Sequence, residues 1–429
     1  MRYTPAAKEL YILNRSKFTK QMADHAIAIF HSNDQMPTSA DGTMPFIQQT
    51  DLFYLSGIDQ EESILLLFPQ AKEKQYREML FIKETNEEIA VWEGEKLSKV
   101  EARELSGIST VMWLSQFEDA LKSLVPQFET VYLNSNEHLR AKVEVETRDA
   151  RFARWFTTKY PYHKIERSQP ILHQIRTIKS QTEIDQLKEA INITEKGFKR
   201  VLKFIKPGVM EYEIEAELLH EFISNRSRRF AFQPIIASGY NACVLHYIEN
   251  KNVCRDGELV LMDIGAEYGN YNADLTRCVP VNGRFTKRQK EVYNAVLRVQ
   301  RAAMDMLVPG NTIIAYHKEV GKIMESELIG LGLLTRTEVK KQDVNQPAYK
   351  KYFMHGTSHH LGLDVHDYGY PDMKMKNGMV FTVEPGIYIR AEKLGIRLEN
   401  DIVISDKGNI DLMKNIPIEV EEIEAWMAG

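Results

Sequence analysis

The feature that most restricts the fold is a helix, Pro-Gly stop, helix pattern that occurs twice, about 100 residues apart. Ser180-Gln-Thr-Glu183 is a capping box opening an amphipathic helix with apolar residues at Ile184, Leu187, Ala190 and Ile191. That helix continues through Val201 and Leu202 and stops at Lys206-Pro207-Gly208, and a second follows from about Glu211 to Ile223. Thr286-Lys-Arg-Gln289 repeats the box, its helix runs through Met306 to Val308-Pro309-Gly310, and another helix follows to about Leu328. Such a duplication can place two halves around a pseudo-twofold axis with a cleft between them; two unrelated helical hairpins with common stop signals are the alternative.

A chain of 429 residues is too long for one ordinary domain, and the first capping box is a good boundary signal. We therefore expect an α/β domain over residues 1–172 and a second domain over 173–429. In the first, Ser63 to Phe68, Met79 to Ile82 and Thr130 to Leu133 are strand candidates, and the polar stretch Ser32 to Asp51 is a loop. It holds no catalytic constellation. The 55 basic and 60 acidic residues are mixed along the chain, without a Lys/Arg block to serve as a phosphate-binding surface, so nucleic acid is not expected as a partner. No apolar stretch reaches signal-peptide or membrane-spanning length, which argues against a membrane partner. Cys243, Cys254 and Cys278 have no CxxC spacing, so neither a disulfide framework nor a thiolate zinc site is indicated, and a reducing cytoplasm is the expected compartment.

Chemistry enters with Asp263, set in the middle of the apolar run Gly257 to Gly265, a costly place for a lone carboxylate. A hairpin turning at Gly269-Asn270 suits a type II′ turn, with Gly at its first central position. In that register Tyr268 faces Tyr271 and Gly265 faces Asp274, so Asp263 and Asp274 are diagonal neighbours on one face. Paired carboxylates at this spacing suit hard divalent cations such as Mn²⁺, whereas a one-residue slip would separate them and leave one paired and one surface Asp.

The run Met354 to His366, together with His246, contains five of the chain's twelve histidines. His355 and His359 have the spacing of a helical zinc motif, but no Glu follows His355, and Gly356 and Gly362 oppose a regular helix. Two further strand-like segments each carry a Glu among apolar residues, Glu384 and Glu399. Two Asp, two Glu and at least one His on separate elements could supply a two-metal site with bridging carboxylates.

The segments MDIGAEYGNYNADLTR, MHGTSHHLGLDVHD, FTVEPGIY and GIRLENDIVIS resemble, in order and approximate spacing, the pita-bread metallopeptidases. That family comprises methionine aminopeptidases, prolidases, Xaa-Pro aminopeptidases and the metal-free creatinases. The resemblance spans nearly the whole chain. It implies a creatinase-like N-terminal α/β domain followed by a pita-bread domain of duplicated helix and strand halves, and metal ligands at Asp263, Asp274, His359, Glu384 and Glu399. The complete ligand set disfavours a creatinase or a non-catalytic binding protein, and the two-domain length disfavours a minimal methionine aminopeptidase. Prolidases typically have Gly where Ser358 stands, so HGTSHH is similar to the Xaa-Pro aminopeptidases, with a prolidase as the alternative.

The implied activity is removal of the N-terminal residue from peptides with proline in second position, by water activated between two divalent ions. Mn²⁺ is expected, with Co²⁺, Zn²⁺ or Fe²⁺ as alternatives. Carried over residue by residue, the resemblance makes Glu384 the proton acceptor and His246 and His366 proton relays or hydrogen-bond donors. His355, Tyr388 and Arg397 line the proline pocket, where Arg397 could also anchor a substrate oxygen. Asp41 in SADG and Trp92 in AVWEGEKL resemble residues that reach a neighbouring subunit's active site, which implies a homodimer or homotetramer; a turn-forming Asp and a core Trp are the alternatives. His360 has no implied role and is expected to pack on the opposite side.

Overall fold

The computed structural model describes residues 2–429, which form two compact units. One is Pro5–Arg176; the other is Thr177–Gly429 with the short N-terminal segment ending at Thr4.

In the first unit, six strands form one mixed sheet: β1 (Ala26–His31), β2 (Ile64–Leu67), β3 (Glu78–Ile82), β4 (Thr110–Trp113), β5 (Thr130–Leu133) and β6 (Lys164–Arg167), in the order β4-β3-β2-β1-β5-β6. The three strands expected from the sequence are β2, β3 and β5 within a residue or two. Strand β1 was not foreseen. All six of its residues are buried, because it lies inside the sheet between β2 and β5, so its Ala-Ile-Ala-Ile-Phe run is apolar on both faces and lacks the polar alternation that marks a half-buried strand. Ile27, Ile29, Leu66, Phe81 and Val131 pack on one face with Phe117, Leu121 and Phe156. The expected loop from Ser32 is irregular until Thr50, where the helix Thr50–Ser56 starts.

The second unit repeats one order of elements. Helices Gln181–Phe204 and Glu211–Ser224 precede β7 (Ile235–Ser238), β8 (Leu259–Ile264), β9 (Glu267–Tyr268), β10 (Tyr271–Asn272) and β11 (Leu275–Pro280). Helices Lys287–Asp305 and Ile313–Gly330 precede β12 (Val380–Val383), β13 (Gly386–Ile389), β14 (Leu394–Arg397), β15 (Asn400–Val403) and β16 (Ile410–Asp411). Each half thus follows a helix pair with a three-stranded antiparallel sheet, β11-β8-β7 or β12-β15-β16, and a two-stranded hairpin, β9/β10 or β13/β14. Both capping boxes form, on Ser180 with Glu183 and on Thr286 with Gln289. The first helix pair packs closely because Gly197 has no side chain: a Cβ there would lie 2.5 Å from the Phe222 ring.

The strand register is the expected one, with Tyr271 opposite Tyr268 and Leu275 opposite Ile264. The turn type differs. Gly269 and Asn270 have φ of 57° and 67°, so both central residues are left-handed and the turn is of the type I′ class. Asn tolerates that conformation, and I′ and II′ turns close the same two-residue loop, so the register survives the change.

Candidate metal centre

Strand β8 ends Met262-Asp263-Ile264, with Asp263 paired to Thr276 on β11. The step from β8 into the β9/β10 hairpin needs Gly265, since any Cβ there would collide with the Ala273 carbonyl. That crossing delivers Asp274 to the start of β11, where its backbone N–H donates to Asp401 Oδ2 at 3.2 Å. The seam between the two halves then closes. The Glu399 N–H donates to the Thr276 carbonyl (3.1 Å), and Thr276 Oγ1 donates to Glu399 Oε2 (2.6 Å). The buried Arg277 guanidinium locks this seam by donating to the Glu399, Thr276 and Pro417 carbonyls and to Asn400 Oδ1.

Glu384 lies between β12 and β13 and donates its N–H to the Thr357 carbonyl at 2.8 Å, tying it to the histidine segment. His359 is held by Thr382 from both sides: its N–H donates to Oγ1, and its carbonyl accepts the Thr382 N–H. Its Nδ1 donates to the His360 carbonyl at 2.9 Å, which leaves the Nε2 lone pair facing Asp274 Oδ2 (3.5 Å) and Glu384 Oε1 (3.7 Å). Ligand atoms of Asp274, His359 and Glu399 all lie within 4.8 Å of one another, a span that one cation can bridge. His360 itself packs on Phe381, ring centroids 4.2 Å apart, and Gly369 makes room for its ring.

The charge balance explains what this cluster is suited to hold. Asp263, Asp274, Glu384, Glu399 and Asp401 converge with two guanidiniums, that of Arg397 and, on the Glu399 and Asp401 side, that of Arg277. Burial, and after it the neighbouring carboxylates, hold Asp274, Glu399 and Asp401 well above the usual carboxylate range. Burial pushes Glu384 up to about 7, against the pull of His359 and Arg397. Asp263 Oδ1 and Asp401 Oδ1 are buried, and among the described residues neither has a hydrogen-bond donor. Buried oxygens lacking donors, in a cluster of five carboxylates whose negative charge two guanidiniums cannot offset, fit divalent cations, which supply the missing charge and the missing contacts together.

One wall beside the carboxylates is aromatic. The Tyr388 hydroxyl donates to His355 Nε2 (2.8 Å) and accepts from Arg397 Nη1 (3.0 Å), while His355 Nδ1 donates to the Gly356 carbonyl. Burial, and next the Arg397 charge, lower His355 to about 3, so its ring is neutral. Phe353 meets the His355 ring edge-on at 4.9 Å. Arg397 is heavily engaged: besides Tyr388 it donates to Asp263 Oδ2 at 2.6 Å and to Thr276 Oγ1 at 3.2 Å. His366 stands edge-on to His359, ring centroids 4.4 Å apart, and is exposed. His246 is exposed in the turn after Gly239–Cys243, near enough for its charge to act on His355.

The expected residues Asp263, Asp274, His359, Glu384 and Glu399 therefore come together, with His355, Tyr388, Arg397 and His366 beside them. Asp41 and Trp92 lie in the other unit, both exposed; Trp92, at 85%, is not a core aromatic. Asp401 was not foreseen, although it stands two residues after Glu399 and so on the same strand face. The Lys179–Asp367 ion pair (2.8 Å, both side chains buried), which anchors the end of the histidine segment, joins positions too far apart in sequence to be read from it.

A pita-bread unit in which Asp, Asp, His, Glu and Glu converge, joined to a separate α/β unit, defines a two-domain metallopeptidase. Residues 185–406 match metallopeptidase family M24, and residues 11–132 match the aminopeptidase P N-terminal domain. The chain is similar to an Xaa-Pro aminopeptidase of Escherichia coli (strain K12), 35% identical over 97% of this chain and 96% of the relative. It is also similar to Xaa-Pro aminopeptidase 3 of Mus musculus, 30% identical over 94% of this chain and 80% of the relative. Among solved structures, zinc-substituted E. coli aminopeptidase P in complex with product matches at 33% identity and TM-score 0.86, covering 99% of both chains. A Bacillus anthracis chain provisionally assigned to aminopeptidase P matches at 34% identity and TM-score 0.91, covering 98% of both. The chain belongs to metallopeptidase family M24, as an enzyme of the aminopeptidase P type.

Proposed function

We propose that this protein is a metal-dependent Xaa-Pro aminopeptidase, which removes the N-terminal residue from peptides with proline in second position. The observation that carries the proposal is the convergence of Asp263, Asp274, His359, Glu384 and Glu399 beside the flat wall of His355 and Tyr388. These five residues are assigned as ligands of two divalent ions. Four carboxylates and one imidazole suit Mn²⁺, with Co²⁺, Zn²⁺ or Fe²⁺ as alternatives. When bound, such ions lower the pKa of a water and polarise the scissile carbonyl.

The chain's own residues supply the rest. Glu384 takes up a proton on a carboxylate oxygen, a role that its position beside His359 supports. The neutral His355 ring, Tyr388 and Phe353 present the flat surfaces that a proline ring, lacking an N–H, packs against. Arg397 fixes Tyr388 and Asp263 relative to each other and anchors substrate oxygen at the pocket. His246 and His366 deliver the proton that the proline nitrogen gains as the bond breaks. Exposed Asp41 and Trp92 reach the site of a neighbouring copy in a homodimer or homotetramer. Three free, buried cysteines support a reducing cytoplasmic home, and among the described residues no helix is long and apolar enough to cross a membrane.

The test is hydrolysis of an Xaa-Pro-Yaa tripeptide against the Xaa-Pro dipeptide by Mn²⁺-loaded protein, with an EDTA control. Tripeptide cleavage at the Xaa-Pro bond, abolished by chelation, is expected. Cleavage of the dipeptide alone would make the enzyme a prolidase, and cleavage of neither would overturn the proposal.

A further inference from the structure

The first unit contains a buried polar chain that the peptidase reading does not use. His31, at the end of β1 and only 3% exposed, donates from Nδ1 to Asp149 Oδ1 at 2.9 Å, and its backbone N–H reaches the same oxygen. Asn134 bridges Asp149 Oδ2 to Asp51, which in turn accepts from Gln169 and pairs with Arg176 at 2.7 Å. All of these residues are buried. Burying so many polar groups costs desolvation, and the network's effect at its near end is to hold one imidazole in one tautomer. With Nδ1–H committed to Asp149, Nε2 carries the lone pair, and among the described residues it has no hydrogen-bond partner.

His31 lines a cavity of about 370 Å³, within the range of small-molecule pockets. Its walls are Ile64, Phe117, Phe152 and Trp155. The Phe152 ring lies 4.4 Å from that of His31 and 5.4 Å from that of Trp155, which makes a row of flat surfaces. Arg148 and Arg151 stand at the same cavity and share a single carboxylate, Asp34, which leaves cationic excess on that side. Glu118, also at the cavity, is mostly exposed and faces Lys159.

We propose that this cavity is a second binding site, for a planar aromatic acid whose ring bears an N–H or O–H donor. The ring stacks on Phe152 and Trp155, its donor meets the Nε2 lone pair of His31, and its carboxylate pairs with Arg148 and Arg151. This site is independent of the peptidase reading.

Isothermal titration of the full chain with indole-3-acetate tests the assignment, with tryptamine (same ring, opposite charge) and phenylacetate (no ring donor) as comparisons. Saturable binding of indole-3-acetate is expected, with both comparisons weaker by at least about tenfold. Arg151→Glu and Trp155→Ala should each weaken it by at least about tenfold, with circular dichroism and tripeptide hydrolysis unchanged. No saturable heat up to about 10 mM would overturn the proposal, as would tryptamine binding equally well or both variants binding like the parent. If no probe binds and Trp155→Ala changes the oligomeric state, the face is a subunit contact and the proposal fails.

Discussion

Two side chains concentrate the residue-scale argument. Glu384 is pushed up to about 7 mainly by burial and sits 3.7 Å from both His355 and His359. Glu384→Gln should lower kcat by roughly 10² to 10⁴, the span of a lost proton-transfer group, and elemental analysis should find reduced metal content as well. Near-normal turnover in that variant would remove Glu384 from the mechanism. The Tyr388 hydroxyl links Arg397 Nη1 to His355 Nε2. Tyr388→Phe keeps the flat ring but leaves a buried donor and acceptor without partners, at a cost of about 1–3 kcal/mol in urea unfolding. Its preference for proline over alanine in second position should persist, because the flat surface does; collapse of that preference would place selectivity in the hydroxyl.

Among the elements, the seam between β11 and β15 decides whether Asp274 and Glu399 meet at all. Arg277 holds it with a rigid fork of donors to three carbonyls and an amide oxygen. A lysine cannot reproduce that fork, so Arg277→Lys should cost about 1–3 kcal/mol for each buried acceptor left without a donor, and should weaken metal binding together with stability. Calorimetric titration with Mn²⁺ beside a urea curve checks both. Gly265→Ala acts at the neighbouring step, where the Ala273 carbonyl leaves no space for a methyl group. Separating β8 from β11 there should cost roughly 1–3 kcal/mol, the usual range for overpacking, and should reduce Mn²⁺ affinity because Asp263 and Asp274 are pulled apart. Unchanged metal affinity in a destabilised Gly265→Ala protein would show that the pair tolerates the shift.

The behaviour of the whole molecule with pH follows from the carboxylate cluster. Without metal, Asp274, Glu384, Glu399 and Asp401 have pKa values raised above those of the unfolded chain. The folded state therefore binds more protons than the unfolded state from about pH 4.5 upward, and these groups make stability fall as pH rises to about 7 and beyond. His355 and His173, both lowered mainly by burial, act in the opposite sense below pH 6.5. Comparing Tm in EDTA with Tm in Mn²⁺ isolates the carboxylate contribution. The metal-induced rise in Tm should grow from pH 5 to pH 8, because ligand protons must leave before cations bind. A rise that stays constant across that range would contradict the ligand assignment.

Much of this was legible locally. A capping box signals its helix because the bonds it makes lie within four residues, as Ser180 and Thr286 illustrate. The Asp263 and Asp274 register could be counted from one two-residue turn because strand alternation has a fixed period, and that count held although the turn is type I′. The tertiary structure decided what depends on elements distant in sequence. It engaged Arg397 with Asp263 across 134 residues, added Asp401 to the cluster, placed Trp92 in solvent, and set His31 beside Asp149 at the floor of a cavity. Sequence periodicity determines which face of an element is apolar, but which faces meet, and how much water stays between them, is settled only when the elements pack.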